Sequence, residues 1–208
     1  VLRAEGAMRV TTLDGPMYGA DHLPAPDEDA ATVLLDRVGV TGRFLLSVGT
    51  LEPRKNLRRL VEAYRRAQAD IKEPLPLVLV GPAGWGEGLV PTEGVVLTGA
   101  VDDAVLAALY GRALAVVYVP LHEGFGLPAV EAMRAGAPVI ASRIPSVGDA
   151  ALIVDPTDVD DMALALVRVA RTRRERSRLI AAGAAHTAEL TWAKAAERHG
   201  RLWTQLAR

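Results

Sequence analysis

The sequence predicts an α/β fold: one doubly wound parallel sheet with helices on both faces. Three observations carry this. Short, continuously apolar runs alternate with segments of helical periodicity, the pattern of parallel strands covered on both sides. Several runs stop at punctuating residues, Gly49, Gly81-Pro82 and Pro120. Half of the 208 residues are hydrophobic and 24% are charged, enough for a sizeable core and far from the composition of disorder.

In chain order, residues 1–25 are irregular and read as an interdomain linker or remnant. Residues 8–13 are a candidate short strand, and Asp14-Gly15-Pro16 and Pro24-Ala25-Pro26 supply turn chemistry. Asp27-Glu28-Asp29 precedes an apolar-periodic stretch at 31–38 and reads as helix capping and dipole pairing rather than a metal site. Strands are expected at 44–48, 75–80, 95–97, 114–119, 139–141 and 152–154. Helices are expected at 56–68, 102–110, 127–135, 158–170, 174–185 and 192–206. Pro128 is tolerated in a first helical turn, and Gly136 followed by Pro138 is a stop signal. The domain therefore runs from 26 to 190, with 191–208 as a crossover helix. In such a sheet ligands bind beyond the strand C-termini, so the loops after Val48, Val80, Leu97, Val119 and Ala141 should carry the chemistry.

Composition excludes several classes. The net charge of −1 argues against a nucleic-acid surface, and the absence of cysteine excludes disulfides, thiolate zinc sites and thiol nucleophiles. Of 24 cationic residues only Lys55, Lys72 and Lys194 are lysines, so the presence of an arginine says little by itself. No apolar run reaches the ~18 residues of a membrane span. No secretory leader pattern is present, which sets a cytoplasmic expectation.

The richest stretch runs from Pro120 to Ala132: Pro-Leu-His-Glu-Gly-Phe-Gly-Leu-Pro-Ala-Val-Glu-Ala. A strand ends, a glycine-bearing turn follows, and a helix begins near Leu127. Gly124 and Gly126 allow close backbone approach, and the helix start offers unpaired N–H groups and a positive dipole end. Together these suit a phosphate or diphosphate. Glu123 and Glu131 bracket the turn; carboxylates beside a phosphate need another task, and accepting hydrogen bonds from sugar hydroxyls is the natural one. The second stretch, Val48-Gly49-Thr50-Leu51-Glu52-Pro53-Arg54-Lys55-Asn56, also joins a strand to a helix. Arg54 and Lys55 sit near a helix start, where the dipole disfavours cations, which points to a bound anion. The plainer alternative is a strand–turn–helix with solvated charges.

Glu123-x7-Glu131 around Gly-Phe-Gly-Leu-Pro, with Glu-Pro-Arg-Lys-Asn about seventy residues upstream, resembles the retaining GT-B glycosyltransferases of family 4, and more narrowly their mannosyltransferase-like branch. The likeness extends through Val80-Gly81-Pro82, Gly84-Trp85, Thr98-Gly99, Pro138-Val139-Ile140-Ala141-Ser142 and Gly148-Asp149-Ala150-Ala151. It implies a GDP- or UDP-linked sugar donor, no separate cofactor, no bound metal for chemistry, and transfer with retention. Carried over by position, Lys55 contacts the donor diphosphate, Glu131 the ribose, and Glu123 the transferred sugar. The amides of Gly124, Phe125, Gly126 and Leu127 contact phosphate and sugar. Val101 with Asp102 or Asp103 meets the base. Gly49 and Thr50 line the turn, and Thr50 replaces an arginine usual in the family, leaving Arg54 as the second cation by inference. Trp85 reads as the anchor of its loop, His122 as a wall of the site, and His22, His186 and His199 as surface residues.

The resemblance covers one of two GT-B halves. An acceptor-binding half, taking a glycan or lipid and giving any peripheral membrane contact, is expected before residue 1. The helix at 192–206 is then expected to dock elsewhere and to leave apolar residues exposed or packed on the linker. A non-catalytic nucleotide-sugar-binding module or partner subunit is the alternative, and a dinucleotide oxidoreductase lacks its glycine fingerprint. The family segment before Gly-Asp-Ala-Ala usually holds about four more residues, including a glutamate, so an interruption of the chain is expected between Val147 and Gly148.

Overall fold

A computed structural model describes residues 18–73, 75–85 and 92–206. Among them, six strands form one parallel sheet: β1 (Leu45–Val48), β2 (Leu77–Val80), β3 (Val95–Gly99), β4 (Ala115–Tyr118), β5 (Val139–Ser142) and β6 (Leu152–Val154). Their order is β3-β2-β1-β4-β5-β6. The chain thus leaves β1 in one direction, reaches β3, and returns to the other side of β1 for β4. The reversal between β1 and β4 is the topological switch point, where such folds bind ligands. The doubly wound Rossmann-like reading is correct.

Among the described residues there are seven α-helices: α1 (Glu28–Arg37), α2 (Leu57–Gln68), α3 (Asp103–Arg112), α4 (Leu127–Arg134), α5 (Val159–Arg171), α6 (Arg173–Thr187) and α7 (Trp192–Leu206). Strand side chains alternate between two apolar layers. Leu46, Val78, Val116 and Val139 pack with α1, α3 and α4, while Leu45, Leu77, Val117 and Ile140 pack with α2 and α5. Burying both faces explains why the strands read as unbroken apolar runs.

Every expected element within the described residues is present, with ends shifted by up to about three residues. α1 starts before the apolar stretch because Asp27 caps it, accepting from the Ala30 N–H at 2.9 Å. Asp158 caps α5 in the same way through the Asp160 and Asp161 amides. β2 starts at Leu77 because Pro76 has no N–H to give the ladder; its carbonyl accepts from Leu45 at 2.8 Å instead. Asp102 holds the N-cap position of α3, but its side chain caps nothing there. The candidate strand at 8–13 lies outside the described residues.

The chain runs through Val147 and Gly148 in a tight turn, with the Ala150 N–H donating to the Val147 carbonyl at 3.0 Å. Gly148 takes φ +50°. Val147 is fully buried, so the short loop is held by its own packing. Residues 18–23 lie against the start of α7: the Ala20 N–H donates to the Leu190 carbonyl at 2.9 Å, and Asp21 accepts from the Trp192 N–H at 2.8 Å. Ala195 is the only buried α7 residue among those described, and Trp203 is 66% exposed.

Candidate functional site

The chain leaves β1 at Gly49, whose φ of +149° is costly for a residue with a side chain. The Lys55 stem crosses directly over this glycine, 3.4 Å from where a Cβ would stand. A 3₁₀ turn at Pro53–Lys55 follows, and Asn56, at φ +62°, turns the chain into α2. Asn56 is buried and fastens the loop: its Nδ2 donates to the carbonyls of Val119 at 3.1 Å and Pro156 at 2.7 Å. The Leu121 N–H donates back to the Arg54 carbonyl at 2.9 Å. The loops after β1 and β4 are therefore one unit, although some sixty-five residues separate them.

That unit puts two cations against one carboxylate. Lys55 Nζ lies 2.6 Å from Glu123 Oε2 and donates to the Tyr118 hydroxyl at 2.8 Å; Tyr118 donates to the same Glu123 oxygen at 2.5 Å. Arg54 reaches that oxygen at 3.2 Å, and the Gly124 N–H donates to Oε1 at 3.0 Å. Burial alone would raise the Glu123 pKa, but the hydrogen bonds from Lys55, Tyr118 and Gly124 outweigh it and hold the carboxyl at about 2. Burial and the same carboxylate push the Tyr118 hydroxyl far up, so it stays a donor.

The turn itself has two glycines with different reasons. Gly126, at φ +92°, caps α4 and leaves no room: a Cβ would stand 2.4 Å from Ile144 Cδ1 and 3.3 Å from the Tyr118 ring. At Gly124 a Cβ would meet nothing within 4 Å. Packing requires the first glycine, whereas the second keeps an open approach beside Glu123. No side chain caps α4, and Pro128 brings no N–H to its first turn, so the dipole end around Leu127 faces outward. A cavity of about 520 Å³ opens where the loop after β4 meets those after β5 and β6, lined among others by His122, Glu123, Ser142, Arg143 and Asp155.

Glu131 lies deeper, 7% exposed, on the buried side of α4. Tyr110 donates to its Oε2 at 2.9 Å, and His22 stands 3.2 Å from Oε1. Burial raises the Glu131 pKa against these contacts, and nearby Asp103 adds to the rise. Val101, Phe125 and Leu127 pack half-buried on the same apolar layer. Tyr18 stacks on Phe125, ring centroids 4.7 Å apart.

The structure thus joins Arg54, Lys55, Glu123 and Gly124 in one cluster, with Gly49 beneath and Gly126 beside it. Thr50 flanks the turn, and Glu131 with Asp103 forms a second group. Several expectations need correction. Trp85 is 66% exposed and anchors nothing by burial; its indole N–H donates to Glu52 at 3.1 Å. His186 is half-buried, its Nε2 2.6 Å from the Ser146 carbonyl, and His22 is a Glu131 partner rather than a plain surface residue. Sequence reasoning missed Tyr118, Asn56, Tyr110 and Glu52. The available signal was a polar-tipped residue, Tyr118, closing an apolar strand just before the glycine turn.

The sequence model of glycosyl transferases group 1 matches residues 38–186. The O-antigen chain mannosyltransferase B of Escherichia coli is 34% identical over 185 residues, covering 83% of this chain and 49% of that protein. The MMP alpha-(1->4)-mannosyltransferase of Mycolicibacterium hassiacum is 34% identical over 152 residues, covering 67% of this chain and 37% of that protein. Among solved structures, the trehalose 6-phosphate synthase of Burkholderia multivorans superposes with a TM-score of 0.73 at 18% identity. It covers 86% of this chain and 45% of that one, and at this identity the likeness is one of fold. The chain spans about half the length of the first relative or less of the others.

Proposed function

The chain belongs to the glycosyl transferases group 1 family, with a GT-B fold and mannosyltransferase-like relatives, and from that premise we propose that it is the donor-binding half of a retaining, metal-independent glycosyltransferase of family 4. Its donor is a nucleotide-diphosphate-sugar, GDP- or UDP-linked, and mannose is the transferred sugar that the relatives' names favour. The acceptor, a glycan or lipid, binds a second half outside these 208 residues. No described helix is long and apolar enough to cross a membrane.

One observation carries the reading: two cations from the loop after β1 converge on a carboxylate at the α4 N-terminus, at the switch point of the sheet. The donor diphosphate takes Lys55 Nζ and the free side of Arg54 in place of Glu123, and the outward amides of the turn add to the grip. Glu123 keeps Tyr118 and Gly124 as partners and turns toward the sugar hydroxyls. As the bond from the anomeric carbon to the phosphate oxygen breaks, charge collects on the leaving diphosphate. Fixed cations and N–H dipoles there stabilise it without having to reorganise, which is the catalytic contribution of this half. The acceptor oxygen bonds to the same carbon, and its proton passes to the departing phosphate. Glu131, with Asp103 and Val101 nearby, takes the ribose and base.

The test is a full-length protein carrying Glu123→Ala. The expected result is retained nucleotide binding with transfer lost by ~10²-fold or more, the scale of a preorganised contact to the reacting group. Unchanged turnover would overturn the role given to Glu123, whereas nucleotide binding without transfer by the unmutated protein would favour the alternative, a nucleotide-sugar-binding module without catalysis.

A further inference from the structure

Glu52 and Trp85 were not among the residues assigned to the site, yet the loop that carries Trp85 is laced to the cation loop. Leu51 forms a parallel bridge with Ala83, and its N–H donates to the Pro82 carbonyl at 3.1 Å. Two glycines make this approach possible. A Cβ on Gly81 would stand 2.2 Å from the Gly49 carbonyl oxygen, and one on Gly84 2.4 Å from that of Leu51. The result sets the Trp85 indole N–H 3.1 Å from Glu52 Oε2. The other Glu52 oxygen, Oε1, lies 2.8 Å from Arg54 NH2.

The division of labour on the guanidinium is informative. NH2 goes to Glu52, and NH1 goes to Glu123 at 3.2 Å. A planar fork held on one side presents its other side in a fixed direction. The Glu52 side chain is only 12% exposed, so its charge is largely withdrawn from water, whereas the Trp85 ring is two-thirds exposed. Burial of the ring therefore does not explain its place; its N–H contact to Glu52 does. Arg54 itself is nearly half exposed, and an untethered arginine there would spread over many rotamers.

We propose that Glu52 and Trp85 are positioning residues that hold Arg54 by its NH2 side so that its NH1 side faces the donor diphosphate. The proposal rests on the donor-site reading above. It also gives Arg54 the role that the family's arginine after the strand-end glycine leaves open in this chain, where Thr50 stands. When the diphosphate enters, only the NH1 side changes partner, from Glu123 to phosphate, and the NH2 side stays on Glu52.

The experiment is a calorimetric double-mutant cycle on the full chain, with GDP and UDP as probes. Trp85→Phe keeps an aromatic ring at the position and removes the N–H together with the five-membered half of the indole. Because the ring is exposed, the thermal midpoint should not move. The expected result is about three- to tenfold weaker nucleotide binding, the size of one partly exposed hydrogen bond to a charged group. Glu52→Gln, with one acceptor for two donors, should weaken binding by a similar factor. In the Arg54→Ala background neither change should weaken binding further, an outcome that a general role in shaping the loop would not give. Unchanged affinity in Trp85→Phe, or an equal loss with and without Arg54, would overturn the positioning role while leaving the donor site intact. If the unmutated chain binds neither nucleotide, the donor-site reading fails and the inference falls with it.

Discussion

Glu123 carries opposing demands. Its carboxylate draws on Lys55, Arg54, Tyr118 and Gly124 at once, at the place proposed for the donor diphosphate. Removing its charge without changing its shape should free both cations. Glu123→Gln is therefore expected to bind GDP or UDP more tightly, by roughly threefold or more, while losing transfer; weaker binding by titration would contradict this. The same contacts set an acid dependence. The folded carboxyl titrates at about 2 and an ordinary glutamate at 4.5, so between these values the unfolded chain binds more protons. The stability that Glu123 contributes is complete above about pH 4.5 and is lost as pH falls toward 2. The difference in thermal midpoint between the unmutated chain and Glu123→Gln should shrink over that range, as denaturation scans from pH 2 to 6 would read. The sequence made Lys55, Arg54 and Glu123 visible through their place between strand and helix. It hid Tyr118 and Tyr110, because a tyrosine among apolar residues reads as core until its hydroxyl is seen to meet a carboxylate.

At the scale of elements, the site depends on how two loops are tied. Asn56 holds the loop after β1 to the carbonyls of Val119 and Pro156, and its left-handed backbone suits asparagine better than most side chains. Asn56→Ala should cost about 2–3 kcal/mol, from one buried and one half-buried carbonyl that lose this donor, and should loosen Lys55. Urea denaturation would measure the first effect and nucleotide titration the second. The two turn glycines should separate cleanly. Gly126→Ala forces a clash with Ile144 and a strained φ, at a cost of about 1–3 kcal/mol. Gly124→Ala meets open space and should leave the unfolding midpoint unchanged while weakening ligand binding. The strands and helices were legible because burial on both faces makes strands continuous in apolar residues. The ties between loops were not, since Asn56 and Pro156 stand a hundred residues apart and only the fold brings them together. The turn at Val147–Gly148 is held by His186 at the Ser146 carbonyl and by the buried Val147.

For the whole molecule, the strand order places β1 and β4 side by side and so creates the cleft from two stretches that each look ordinary alone. The helix layer is less complete. α7 buries Ala195 and leaves Trp203 and Leu206 exposed, so Trp203→Ser should change the stability of this chain by less than about 0.5 kcal/mol. A larger loss in denaturant titration would show that α7 belongs to the core. The central claim is that the cleft between the loops after β1 and β4 grips a nucleotide diphosphate. The most direct measurement is isothermal titration of GDP, UDP and ADP into the chain and its Lys55→Ala variant. The account predicts that GDP or UDP binds, and that losing Lys55 weakens this at least tenfold, or ~1.4 kcal/mol, with the fold intact by circular dichroism. Binding of none of the three nucleotides, or equal affinity with and without Lys55, would contradict it.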